Sequence, residues 1–153
     1  MTAIPDLVSG PVVEPRLDAA RTEVARLVNA ARATLLSSGT AISVDQLADG
    51  KGTGLPAARK WLSRRRLAGE LVTVTHEGAV LIPTFQLDDA FVVDPAATHV
   101  VSRLLAYGMS GWAVWDWAQT ANGWLDGETP ADLLRSGRTS EVAAAVEGLT
   151  SAA

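Results

Sequence analysis

Five basic side chains fall within eight residues, Arg59, Lys60, Arg64, Arg65 and Arg66, with no acid among them. Guanidinium and ammonium groups at this density attract a polyanion such as the phosphate backbone of a nucleic acid. The surroundings sharpen the point, because the formal net charge of the whole chain is −4. Residues 45–87 carry six basic and four acidic groups, whereas residues 88–153 carry three basic and nine acidic ones. Local basicity on an acidic chain reads as one face meant for a polyanion, with a solvated helix face as the plain alternative for an Arg run. Other chemistry finds little material. The chain has no cysteine, which excludes disulfides, Cys-based zinc sites and thiol nucleophiles. His76 and His99 are the only histidines, and neither has a partner at ligand spacing. No Ser/His/Asp set or glycine-rich phosphate loop stands out, so the expectation is a non-enzyme without metal or cofactor.

The basic run needs an element to present it. Pro56 suits the first turn of a helix, which the pattern carries through Ala57, Ala58, Trp61 and Leu62 to about Leu67. Ahead of it, Ser43-Val44-Asp45-Gln46 is a capping box that starts a short helix bearing Val44, Leu47 and Ala48. Asp49-Gly50-Lys51-Gly52-Thr53-Gly54 is the turn between the two. Two short helices joined by a glycine-containing turn, the second of them basic, outline a helix-turn-helix. After Gly69 the period drops to two: Leu71–Thr75 and Ala79–Ile82 flank His76-Glu77-Gly78, a hairpin placed as a wing and ended by Pro83. On this reading Arg59, Lys60, Arg64 and Arg65 contact phosphates, while Thr53, Ala57 and Lys60 stand where bases are read. Of the adjacent Trp61 and Leu62, at least one faces the core.

One copy of so small a reader binds weakly, so a homodimer is expected. Leu17, Ala20, Val24, Leu27, Val28, Ala31 and Leu35 recur at threes and fours, which predicts a helix from Arg16 to about Ser37. That helix is a candidate dimerisation element, or else it closes the local core. Residues 1–15, with Pro5, Gly10, Pro11 and Pro15, read as a mobile arm.

Beyond the connector Phe85-Gln86-Leu87-Asp88-Asp89 the sequence predicts four short helices. Asp94-Pro95 caps the first, which bears Val100, Val101, Leu104 and Leu105 and closes at Gly108. Ser110 caps the second, with Trp112, Trp115 and Trp117, and Asn122-Gly123 breaks it. Thr129-Pro130 opens the third, with Leu133 and Leu134, ended by Gly137. Ser140 to Leu149 forms the last, with Val142 and Val146 inward. Trp112, Trp115, Leu133, Leu134 and Val146 are expected mostly in the shared core, because helices this short need one. Trp117 and Trp124 are better candidates for an interface, since a tryptophan left exposed suits a hot spot.

The stretch from about Leu81 to Gly148 resembles the toxin-binding domain of the Xre/MbcA/ParS antitoxins. The resemblance rests on Pro83-Thr84-Phe85-Gln86-Leu87-Asp88 after a strand, on Ser110-Gly111-Trp112 to Trp117, and on the break Ala121-Asn122-Gly123. Its most specific block is Leu125-Asp126-Gly127-Glu128-Thr129-Pro130-Ala131-Asp132-Leu133-Leu134-Arg135-Ser136-Gly137, followed by a helix around Val142. The resemblance implies an antitoxin of a type II pair that covers a RES-domain toxin, an enzyme similar to NAD-consuming ones that kills by depleting NAD. It also implies binding to the operator DNA of its own promoter. In several such antitoxins the C-terminal segment reaches into the NAD pocket. Carried over, that makes Leu149, Thr150, Ser151, Ala152 and Ala153 toxin-binding, together with Trp117, Trp124 and Arg135.

The expected architecture is therefore mainly α: a flexible arm (1–15), a winged helix-turn-helix-like DNA-binding domain with a β-hairpin (16–87), and a four-helix toxin-binding bundle (88–153). A stand-alone winged-helix transcription regulator with a protein-interaction bundle is the alternative. No stretch approaches the roughly 20 apolar residues of a membrane span, and the N-terminal segment lacks a basic region followed by an apolar run. A bacterial cytoplasmic location is expected.

Overall fold

The computed structural model describes residues 13–151. The chain divides into two compact units between Ser37 and Ser38. The first contains one long helix, α1 (Val13–Ser37). It begins three residues before the periodic pattern does, so Val13 to Pro15, expected in the arm, are helical; residues 1–12 lie outside the described residues. Of the apolar stripe, Leu17, Val24, Leu27 and Val28 are exposed and Leu35 is buried.

The second unit opens with β1 (Ala41–Ser43), α2 (Val44–Lys51), α3 (Leu55–Leu67), β2 (Val74–His76) and β3 (Ala79–Pro83). The three strands form an antiparallel sheet in the order β1-β3-β2. β1 has no signature in the sequence: three residues are too few to show a period, and Ser43 serves both as its last residue and as the N-cap of α2. The capping box forms as expected, with Gln46 N–H donating to Ser43 Oγ and Ser43 N–H donating to Gln46 Oε1. Pro83 is the last residue of the central strand, opposite Ala41, rather than the residue after it. It has no N–H to give the ladder, and the next residue resumes the pairing, Thr84 N–H donating to Thr40 O at 2.9 Å. Leu47, Ala48, Ala58, Leu62, Leu71 and Ile82 make the core beneath this sheet.

A 3₁₀ turn (Thr84–Gln86) leads to α4 (Pro95–Ala106), α5 (Gly111–Gln119), a second 3₁₀ turn (Gly123–Leu125), α6 (Pro130–Arg135) and α7 (Thr139–Ser151). Three of these helix starts have the cap bond read from the sequence: Asp94 accepts from Ala96 N–H, Ser110 from Ala113 and Thr129 from Asp132. α4 packs on α7, which also meets α6. Val100, Val101, Leu104, Val114, Trp115, Leu133, Val142 and Val146 are buried among these helices.

The expected connector at 85–89 starts as a buried joint: Phe85 and Gln86 are buried, and the chain emerges at exposed Asp88 and Asp89. Gln86 is fully buried and grips Val72 as a strand would, its Nε2 donating to Val72 O at 2.7 Å and its Oε1 accepting from Val72 N–H at 2.9 Å. Other bonds also cross the boundary drawn at 87/88. Ser102 Oγ donates to Gly69 O at 2.8 Å, and Trp115 Nε1 donates to Thr40 Oγ1 at 3.0 Å. Two glycines allow close approach there. A Cβ on Gly50 would lie 2.6 Å from the Phe91 ring, and one on Gly111 would lie 2.4 Å from Thr73 O. Among the described residues no helix is long and apolar enough to cross a membrane.

Candidate nucleic-acid interface and protein-docking groove

α3 shows which of its side chains are free to meet a ligand. Ala58 and Leu62 face the core, and Trp61 and Arg65 are half-buried beside them. At 3.6 residues per turn the opposite face carries Pro56, Lys60, Ser63, Arg64 and Leu67, all exposed. Leu67 is 84% exposed. Arg59 and Arg66, seven residues apart, are exposed along one flank. The outward side of α3 is thus a row of cations with no acid on the helix to neutralise them. Arg66 belongs to it by position although its sequence number alone gave no reason to choose it over its neighbours.

Of the residues expected at this site, Arg59, Lys60 and Arg64 come together on the exposed side. Thr53 is exposed in the turn before the helix, just ahead of Gly54, the N-cap, which has no side-chain cap bond. The turn itself closes through Gly52 in the left-handed region (φ 68°), whose N–H donates to the α2 carbonyls. Arg65 stands apart from the other cations. Its Nη1 is 2.8 Å from Glu70 Oε2, and its Nε is buried without a hydrogen-bond partner. The ion pair turns this guanidinium towards the 70–98 side of the fold, where Trp61, Arg65, Glu70, Val93, Pro95 and Thr98 line a depression of about 430 Å³. Lys51 Nζ sits 3.6 Å above the Trp61 ring. Burial holds this ammonium below the usual lysine range, the Arg65 charge adds to that, and Asp88 opposes it.

The wing is tight and not basic. Glu77 and Gly78 both have positive φ (50° and 78°), as a two-residue type I′ turn requires. The register places His76 opposite Ala79, so His76 ends the strand rather than opening the turn. The Glu77 side chain is 85% exposed and its carboxylate lies 3.7 Å from His76 Nε2. An acidic tip repels phosphate, so α3 carries the cationic face unaided. His99 is exposed on α4.

A second feature lies in the acidic half. Tyr107, Met109, Ala113, Asp116, Trp117 and Leu149 line most of a groove of about 500 Å³ bounded by the α4–α5 corner, the 120–123 turn and the end of α7. Trp117 and Leu149, both expected at a protein interface, share this groove. Trp124 is 73% exposed and rests its ring edge on the last helix, where a Cβ on Gly148 would lie 3.3 Å away. Arg135 lies elsewhere, lining a separate depression with Asp88, Asp89 and Asp94 and 3.4 Å from Asp132. Tyr107 and Met109, which no sequence pattern singled out, are brought to the groove by the α4–α5 corner. Trp115 is buried and Trp112 half-buried, their ring centroids 5.7 Å apart. Leu149, Thr150 and Ser151, carried over as toxin-binding, belong to the last helix. α7 runs to Ser151, with Thr150 Oγ1 donating to Val146 O at 2.8 Å and accepting from Arg103 Nη2 at 3.2 Å. Arg103 also pairs with Glu147 at 2.9 Å. Ala152 and Ala153 lie outside the described residues.

A helix-turn-helix followed by a hairpin, with a basic outward face on its second helix, defines a winged-helix-like protein. The chain is similar in fold to one solved structure, the NMR structure of Rv2175c, with a TM-score of 0.59 and 19% sequence identity over 72% of this chain and 80% of that one. No family model and no curated protein matches the chain.

Proposed function

We propose that the protein is a DNA-binding regulator that lays α3 in the major groove of duplex DNA and offers the groove beside α7 to a protein partner. One observation carries the reading: the helix-turn-helix presents Arg59, Lys60, Arg64 and Arg66 together on solvent-facing turns of its second helix. Lys60 and Ala57, on the outward side of the first two turns, are placed to meet base edges; the arginines grip phosphates. The protein acts by binding, not catalysis, and works where its DNA is, in the bacterial cytoplasm. Selection from a random duplex pool tests this directly. The reading requires enrichment of one motif and a footprint on it that disappears in a Lys60→Ala/Arg64→Ala variant. A pool that stays random after repeated rounds would falsify it.

A second reading refines the partner. The half of the chain that resembles the Xre/MbcA/ParS toxin-binding domain is also the half with the apolar groove and the exposed Trp124, which favours an antitoxin occluding a RES-type toxin. Thr150 is engaged by Arg103, so any segment entering a toxin pocket consists of the residues beyond it or requires the end of α7 to unwind. Co-expression with the product of the adjacent gene distinguishes the readings: growth rescue and a stable complex support the antitoxin, and a harmless neighbour leaves the DNA-binding regulator alone.

A further inference from the structure

We propose that the outward stripe of α1 is a self-association surface, on which a second copy of this chain lays its own α1 in antiparallel orientation. Leu17, Val24, Leu27 and Val28 are 48%, 59%, 54% and 41% exposed. Leu17, Val24 and Ala31 are spaced by seven, and Ala20, Leu27 and Thr34 repeat that spacing three residues on. Two alternating positions with a seven-residue repeat form the seam of a two-stranded coiled coil, because that interval stays on one face as two helices wind together. A 25-residue helix with Leu17, Val24, Leu27 and Val28 in one exposed row leaves a surface that pairing with an identical row would remove from water.

Charge selects the orientation. In a parallel pair the positions flanking the seam set Arg16 of one copy against Arg21 of the other, and symmetry makes the clash twice. Antiparallel pairing centred on Val24 and Leu27 removes it. Arg16 then faces Ser37, Arg21 faces Val28 and Glu23 faces Ala30 of the second copy. The seam layers become Leu17 with Thr34, Ala20 with Ala31, and Val24 with Leu27. Glu23 is already held on its own helix by Arg26, whose Nε donates to it at 3.0 Å. Leu35, buried at the far end of α1, takes no part in the seam.

The proposal stands apart from the DNA reading, because it is tested without DNA. Sedimentation velocity of the full chain should give the mass of two copies at micromolar concentration, and Val24→Asp/Leu27→Asp should halve it. The chain has no native cysteine, so engineered ones are unambiguous. Ala20→Cys mixed with Ala31→Cys should form a disulfide-linked dimer on mild oxidation, whereas Ala20→Cys alone should not. These alanine sites are small enough to keep the test valid if the aspartate variant fails to fold. A mass of one copy across the concentration range overturns the proposal, as does a Val24→Asp/Leu27→Asp protein that remains dimeric. Cross-linking of Ala20→Cys to itself overturns the antiparallel arrangement.

Discussion

α3 and α4 are nearly equal in length, 13 and 12 residues, and opposite in use. α4 buries Ala97, Val100, Val101 and Leu104 and bonds outward from both flanks, through Ser102 to Gly69 O and through Arg103 to Glu147 and Thr150. α3 buries only Ala58 and Leu62, and most of its surface is cationic side chain in water. Surface that a fold spares from packing is surface available to a ligand. The contrast separates a helix enclosed by its neighbours from one that gives Ala58 and Leu62 to the core beneath the sheet and keeps the rest of its surface open, the surface on which the proposed DNA binding depends.

Substitutions in the two helices should therefore separate stability from binding. Leu104→Ala in α4 should lower the unfolding free energy by about 2–5 kcal/mol, read as a shift of the urea midpoint. Lys60→Ala/Arg64→Ala should change the unfolding free energy by no more than about 0.5 kcal/mol while weakening duplex binding. If the α3 variant unfolds as readily as the α4 variant, the division of labour is wrong. Next in size is the joint between the halves. Gln86→Leu leaves the Val72 N–H and C=O buried without partners, and a destabilisation of about 1–3 kcal/mol is expected in the same denaturation. A neutral Gln86→Leu would mean that water can replace the side chain there. The cap of α4 comes after that: Asp94→Ala should cost about 1 kcal/mol, visible as a lower melting temperature. Smallest is the wing tip, where Glu77 holds a left-handed φ. Glu77→Gly should raise stability by up to about 1 kcal/mol and, by removing an acidic group, strengthen DNA binding slightly. A weaker complex would show instead that Glu77 contacts the DNA bases.

What the sequence made legible follows the range of each interaction. Ser43, Asp94, Ser110 and Thr129 cap their helices through bonds only two or three residues long, so their chemistry can be read locally. The basic character of α3 was legible in the Arg run, but its face only in part: Arg59, Lys60 and Arg64 are exposed as expected, whereas Arg65, expected among them, pairs with Glu70 and Arg66 is the exposed neighbour. β1 was not, since its order comes from pairing with residues some forty positions away. The grip of Gln86 on Val72, the pairing of Arg65 with Glu70 and the anchoring of Thr150 by Arg103 are likewise set by tertiary approach, and each changed the role expected for a segment. Trp115, expected in the core, is buried and Trp124, expected to be exposed, is 73% exposed, whereas Trp117 is half-buried because the groove beside the end of α7 forms around it.

On the proposed reading, the cations on the open side of α3 hold duplex DNA through its phosphates. Fluorescence anisotropy of a selected duplex, titrated with protein across a range of salt concentrations, tests it most directly. Affinity should fall linearly with salt on logarithmic axes. The slope should become shallower by about 0.9 for each phosphate that Arg59→Gln, Arg64→Gln or Arg66→Gln no longer neutralises, while Arg65→Gln, whose partner is Glu70, changes it least. Binding that is insensitive to salt, or a slope that only Arg65→Gln reduces, would contradict it.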